Sequence, residues 1–188
     1  MSQASGSQSL AIGYSSLASG VNATAIASQS RALGTNSMAL GVSSLANGQN
    51  SLSMGVAANS NGTNSFALGV STFAQGDNSF AVGVSAVACG NNAFAFGVNA
   101  IGTSSRAFIG SPNGFAIGTK SIVMQRDAFA LGTSAEANGV NSISFGYEAT
   151  SSGVNSIAIG SDSTVGTNSP NAVAFGASSY SKGANSYA

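Results

Sequence analysis

Few side chains in this sequence are able to act as acids, bases or ionic partners. They are Arg31, Asp77, Arg106, Lys120, Arg126, Asp127, Glu136, Glu148, Asp162 and Lys182. No histidine is present, so the commonest general base is missing. Acid–base catalysis by carboxylates needs a pair whose environments separate their pKa values. Asp127 and Glu136 come near each other in the chain, but that spacing does not recur. The Gly-rich segments lack a following Gly-Lys-Ser/Thr, so none reads as a phosphate loop. One cysteine and scattered acids give no metal-ligand set, and the recurring Asp of calcium-binding β-roll repeats is absent. No catalytic residue, cofactor or metal is expected, and no small-molecule substrate.

Five basic and five acidic residues leave a net charge of zero. Without a basic stripe to neutralise phosphates, nucleic acid is not an expected partner. Cys89 cannot form an internal disulfide alone. It stands where sister segments carry Asn47, Asn61 or Gln75, and reads as a tolerated substitution.

What must position these residues is a repeat. Glycines fall every fourteen residues at Gly41, Gly55, Gly69, Gly83 and Gly97, with a second series at Gly48, Gly62, Gly76 and Gly90. Asn36-Ser37-Met38-Ala39-Leu40-Gly41, Asn64-Ser65-Phe66-Ala67-Leu68-Gly69 and Asn155-Ser156-Ile157-Ala158-Ile159-Gly160 are one motif. It recurs about thirteen times by a fourteen-residue period, the signature of a solenoid. An apolar content of 43% at a fixed period argues for order. The whole chain, 1–188, is expected to form a single repeat domain.

Each period divides into two halves with period-two alternation, so two short strands are expected per coil, joined by turns. Asn-Gly at Gly48, Gly62 and Gly139 suits positive φ. No helix-length crossover is available, so the chain must coil with its strands stacked in parallel at roughly 4.8 Å, giving a rod on the order of 60 Å. Identical positions then superpose, and Asn36, Asn50, Asn64, Asn78 and Asn92 are expected to form an amide ladder.

Glu136, Glu148, Asp162 and Lys182 lie in second halves, opposite Ala137, Ala149, Ser163 and Ser181. The second strand is therefore the outer one, with Ser and Ala turned inward. The first strand carries no charge in any regular repeat. Either Phe66 and Leu68 fill the coil and Ser65, Ala67 and Gly69 form a flat face, or the parity is reversed and two large apolar residues per coil lie bare. The small inward residues of the second strand favour large residues inside. In both cases an uncharged strip this long needs a partner, most simply copies of the chain in closed cyclic symmetry. The strand residues concerned, in core or interface, include Ala39, Leu40, Ala67, Leu68, Ala81, Val82, Ala158 and Ile159.

The motif Asn-Ser-Φ-Ala-Φ-Gly, followed by x-x-Ser-x-Ala-x-Gly, resembles the head repeats of trimeric autotransporter adhesins, the YadA-like heads of Gram-negative bacteria. The likeness runs from about Ser7 to Ala188. It implies an all-β, left-handed parallel β-roll assembled as a homotrimer. It further implies an adhesin head at the bacterial cell surface, beyond the outer membrane, that attaches to host extracellular matrix such as collagen or to a host-cell receptor. A neck, stalk and membrane anchor would be expected downstream, and none is in this sequence. The chain reads as a fragment or mature portion, without a signal peptide or a membrane-helix stretch. A structural spacer, as in a phage tail-fibre rod, is the alternative; ice binding is distant, because the outer columns are irregular.

The period breaks near 98–127 and again at 161–175. Ala27 and Gln125 each replace a series glycine, and Pro112 and Pro170 mark segments expected to bulge outward because proline removes a ladder donor. Loops on a repeat scaffold often carry recognition. Arg106, Pro112, Asn113, Lys120, Arg126 and Asp127 are therefore the candidate ligand-binding residues.

Overall fold

The computed structural model describes residues 1–102 and 113–188. Arg106 and Pro112 lie outside the described residues. The chain forms two compact units, Met1–Asn92 and Ala93–Ala188, each built from the same coil. In the first unit one sheet stacks Leu10–Ile12, Thr24–Ile26, Met38–Leu40, Leu52–Met54, Phe66–Val70 and Phe80–Val84 in that order. The other stacks Gln3–Ala4, Leu17–Ala18, Arg31–Ala32, Leu45–Ala46, Asn59–Ser60, Phe73–Ala74 and Val87–Ala88. In the second unit the corresponding sheets run from Phe94–Val98 to Val173–Phe175 and from Ile101–Gly102 to Tyr180–Ser181. We call the first kind the apolar sheet and the second the mixed sheet.

All pairings are parallel and keep like residues in register, as in Phe66↔Phe80, Ala67↔Ala81 and Leu68↔Val82. Register is fixed because a one-residue slip would exchange the two faces of every strand. The phase also survives the irregular segments, since Phe115 pairs with Phe94 and Val173 with Ile157.

The faces are the reverse of the favoured sequence reading. Ala39, Ala67, Ala81 and Ala158, the middle residues of the apolar-sheet strands, are fully buried. Their neighbours Leu40, Leu68, Val82 and Ile159 are only partly covered, and Met38 and Ile12 are exposed. From the mixed sheet, Ala46, Ala74, Ala88 and Ala137 face these alanines and are buried too. The interior is so narrow that Val123, Val165 and Thr72 are its largest fully buried side chains. Two facing sheets of Ala and Ser leave no volume for Phe or Leu, and interiors are packed too densely to create it. The large residues therefore point out of the apolar sheet.

Two turns close each coil, and both use a residue in the left-handed region at the third position. In Gly48-Gln49-Asn50-Ser51, Asn50 has φ 55° and the Ser51 N–H donates to the Gly48 carbonyl at 3.3 Å. In Gly41-Val42-Ser43-Ser44, Ser43 has φ 58° and the Ser44 N–H donates to Gly41 O at 3.2 Å. This is the pattern of a type II turn, which favours Asn or Gly third and accepts Pro second. In several coils the buried serine after the turn donates its hydroxyl back to the turn's first carbonyl, as from Ser44 to Gly41 at 2.8 Å and from Ser156 to Gly153 at 2.6 Å, whereas the hydroxyls of Ser37, Ser51, Ser65 and Ser79 have no partner. Where it forms, that bond offsets the cost of burying the hydroxyl, and the small volume of serine suits the narrow interior in every coil.

Pro170 fits the same turn rather than an outward bulge. Ser169-Pro170-Asn171-Ala172 places proline second, where the N–H is outside the backbone ladder. The equivalent Thr63 and Asp77 donate theirs to side chains, Asp77 Oδ1 and Asn91 Oδ1. No ladder bond is lost, and the two extra residues are accommodated before Ser169.

The first-series glycines sit at φ of 128° for Gly13 and 140° for Gly41. Ala27 occupies the same column at φ 110°, a conformation that side-chain-bearing residues adopt at about 1–3 kcal/mol. Ala27→Gly is expected to stabilise the protein by about 1 kcal/mol and to raise Tm by about 2–4 °C, as read by thermal unfolding.

Candidate binding and assembly surfaces

In each unit the apolar sheet turns a hydrophobic face outward. Phe66 and Phe80 stack with ring centroids 4.7 Å apart and planes 7° from parallel. Phe115 stacks on Phe94 at 4.6 Å and on Phe129 at 4.9 Å. In-register pairing forces these rings into a column at the strand repeat, a geometry that aromatic pairs tolerate when offset. Beside them Phe96 and Phe145 are about half exposed, at 49% and 51%, and Phe175 is 70% exposed. The valines that follow the first-series glycines, Val42, Val56, Val70 and Val84, extend the strip along one edge at 45–50% exposure. None of the described apolar-sheet strands carries a charged residue. An exposed apolar strip without charges has the composition of an interaction surface.

Along the turn that holds Asn50 runs the asparagine ladder. Asn22 Nδ2 donates to Asn36 Oδ1 at 2.9 Å, and the chain of bonds continues through Asn50, Asn64 and Asn78 to Asn92 at 3.0–3.2 Å. In the second unit Asn141, Asn155, Asn171 and Asn185 repeat it. The same side chains hold the left-handed turn position, so the column has two structural duties. Asn and Asp tolerate that conformation better than most residues.

Two of the candidate ligand-binding residues belong to this ladder. Asn113 Nδ2 donates to Asp127 Oδ1 at 2.8 Å, and Asp127 has φ 54°. Arg126 is the exposed second residue of the same turn, and its carbonyl accepts the Asn141 N–H at 3.1 Å. Lys120, at φ 58°, holds the left-handed position of the other turn, the place taken by Ser43 and Ser71 elsewhere. These residues thus occupy regular turn positions and are divided between two different turns of the coil. Glu148 and Asp162 share the Lys120 column, with φ 54° and 56°. Glu148 also accepts a hydrogen bond from Tyr147, which raises the pKa of that phenol.

On the mixed sheet of the first unit, Leu45, Phe73 and Val87 are half-buried and form a column with Asn59, and Glu136 takes the equivalent position in the second unit, between Ile122 and Thr150. Cys89 lies beside it, its thiol donating to Gln75 Oε1 at 3.2 Å, and partial burial raises its pKa. Among the described residues no three His, Cys, Asp or Glu side chains converge as metal ligands.

A coil with a small-residue core, two staple turns and an uncharged hydrophobic outer sheet defines a parallel β-solenoid. The YadA head domain repeat model matches residues 4–26, 28–44, 32–55, 46–72, 74–100, 125–149 and 137–163, and the chain belongs to that family. The solved collagen-binding domain of the Yersinia adhesin YadA is similar to it at 26% identity and a TM-score of 0.51, over 74% of this chain and 65% of that one. The chain spans 65% of the length of that structure. No curated protein matches the sequence.

Proposed function

We propose that this chain is an adhesin head displayed on a bacterial surface. Three copies bury their apolar sheets against one another, and the remaining surface binds host extracellular matrix, with collagen as the first ligand to test. The observation that carries this reading is the uncharged apolar face with its stacked phenylalanines. Such a face is poorly suited to water, and in a closed cyclic assembly it is covered identically in every chain. Membership of the YadA head family supports the number three and the adhesive role.

The mixed sheet and the turns then remain outside. Ser43, Ser71, Ser85 and Ser178 hold left-handed turn positions, and Leu45, Phe73, Val87 and Tyr180 belong to mixed-sheet strands. They form a shallow, mildly apolar surface repeated along each chain. Weak contacts repeated in this way gain through avidity rather than through one deep site. Sedimentation equilibrium is expected to return three times the chain mass, and solid-phase assays to show saturable binding to collagen or another matrix protein. A single-chain mass would overturn the assembly. Failure of every matrix protein and of intact host cells to bind would overturn the adhesive role.

A further inference from the structure

A recess lies at the two-residue insertion before Ser169. The position after a mixed-sheet strand carries a side chain at Ser5, Ser19, Leu33, Asn47, Asn61, Gln75 and Cys89 in the first unit and at Met124, Asn138 and Ser152 in the second. At the insertion this position holds Gly166, which follows Thr164–Val165, and the next rung carries Lys182. The glycine is not demanded by backbone conformation, since Gly166 is not among the positive-φ positions. What its missing side chain supplies is space. A Cβ there would lie 3.3 Å from Ser169 Oγ and 4.0 Å from the Tyr180 hydroxyl.

The result is a recess of about 380 Å³ whose lining includes the inserted Thr167 and Asn168 together with Tyr180 and Lys182. Tyr180 and Lys182 are two residues apart on an extended segment, so they project to the same side, while Ser181 between them is buried. Ser169, itself buried, accepts the Gly183 N–H at 2.8 Å and fixes the floor. Lys182 is exposed and has no ion-pair partner among the described residues. The recess therefore combines a flat aromatic ring, an uncompensated ammonium, and the hydroxyl and amide of Thr167 and Asn168. Its volume is at the low end of small-molecule clefts, which suits one ring rather than a chain of them.

We propose that this recess binds an anionic pyranose, a sugar ring bearing a carboxylate or sulfate. The ring stacks on Tyr180, the anion meets Lys182, and the ring hydroxyls bond to Thr167 and Asn168. Charge-assisted hydrogen bonds are stronger than neutral ones, so the anion sets the preference over neutral sugars. The inference does not rest on the trimeric adhesin reading, because every residue involved belongs to one chain.

Saturation-transfer difference NMR on the full chain tests it, with glucuronate and glucose 6-sulfate as probes and glucose as the neutral control. A ligand of this size is expected to bind at about 1 mM, with one or both anions binding about tenfold better than glucose. A response to glucuronate alone identifies a carboxylate site, and a response to glucose 6-sulfate alone a sulfate site. Lys182→Gln should remove the preference for the anions over glucose. Gly166→Asn restores the side chain that this position carries at Asn47 and Asn138 and should abolish the signal, lowering Tm by about 2–4 °C because its Cβ crowds Ser169 Oγ. If that variant does not fold, Tyr180→Ala provides the same readout. Equal signals from glucose and both anions, no signal from any probe, or anion binding that survives in the filled or Tyr180-less recess would overturn the proposal.

Discussion

Replacing Ala67 with glutamate is expected to unfold the coil around it, lowering Tm by about 10–20 °C for a loss of about 5 kcal/mol. Ala67 is fully buried, in register with Ser53 and Ala81 and facing mixed-sheet residues that are equally small. Three extra heavy-atom shells have no cavity to enter, and overpacking alone costs about 1–3 kcal/mol. The carboxylate adds several kcal/mol more, having no buried cation to meet. Because a solenoid's stability is roughly a sum over neighbouring repeats, the loss falls on adjacent coils as well and should broaden the transition.

The control for this variant is written in the sequence. Ser53 and Ser144 occupy the same column, and their hydroxyls donate to the carbonyls of Leu45 and Glu136, each at 2.6 Å. Ala67→Ser finds the equivalent carbonyl of Asn59 in the same place, so its Tm should stay within about 2–4 °C of the parent, a change of about 1 kcal/mol. Differential scanning calorimetry of the two variants separates size and charge from mere polarity. A glutamate variant as stable as the serine one would show that the alanine column is not the core.

The repeat, the two strands per coil, the turns and the asparagine ladder were legible in the sequence because each follows from a period and a local conformational preference. The facing of the first strand was not, because alternation gives parity without direction. The column at Ala39, Ser53, Ala67, Ala81, Ala130, Ser144 and Ala158 varies only between Ala and Ser, whereas its neighbours range over Thr24, Met38, Leu52, Phe66, Ile143 and Val173. A closely packed interior tolerates little variation in volume. Constancy of size, rather than size itself, therefore marks the core here. The expectation that hydrophobic means inside is a one-way rule, and a coil this thin breaks it.

The candidate ligand-binding residues show a second limit. Charge and irregular spacing drew attention to Lys120, Arg126 and Asp127, yet from Gly118 onward the coil has recovered its phase, with Gly118, Gly132 and Gly146 fourteen residues apart. Asp127 stands in for asparagine in the ladder, and Lys120 stands in for serine in the turn. The Gly166 recess was missed for the opposite reason. Its signal is an absent side chain, visible only once the column that should contain it has been assembled in three dimensions.

The outward face gives the second large effect. Leu68→Glu is expected to dissociate the assembly while leaving each chain folded. Leu68 points away from the core and pairs in register with Met54 and Val82, so a longer polar side chain meets no packed interior within its own chain. In the proposed trimer it meets two other copies of itself across a hydrophobic face. An uncompensated charge buried there costs about 3 kcal/mol per chain, and three chains together raise the overall dissociation constant by roughly a millionfold. Far-UV circular dichroism should be unchanged, and sedimentation should return the mass of one chain. Asn59→Glu is the matched control. Glutamate already stands at the equivalent mixed-sheet position of the second unit, Glu136, so the variant should keep both its signal and its assembled mass. If Leu68→Glu also keeps the assembled mass, the apolar sheet is not what joins the chains, and its exposed phenylalanines need another partner.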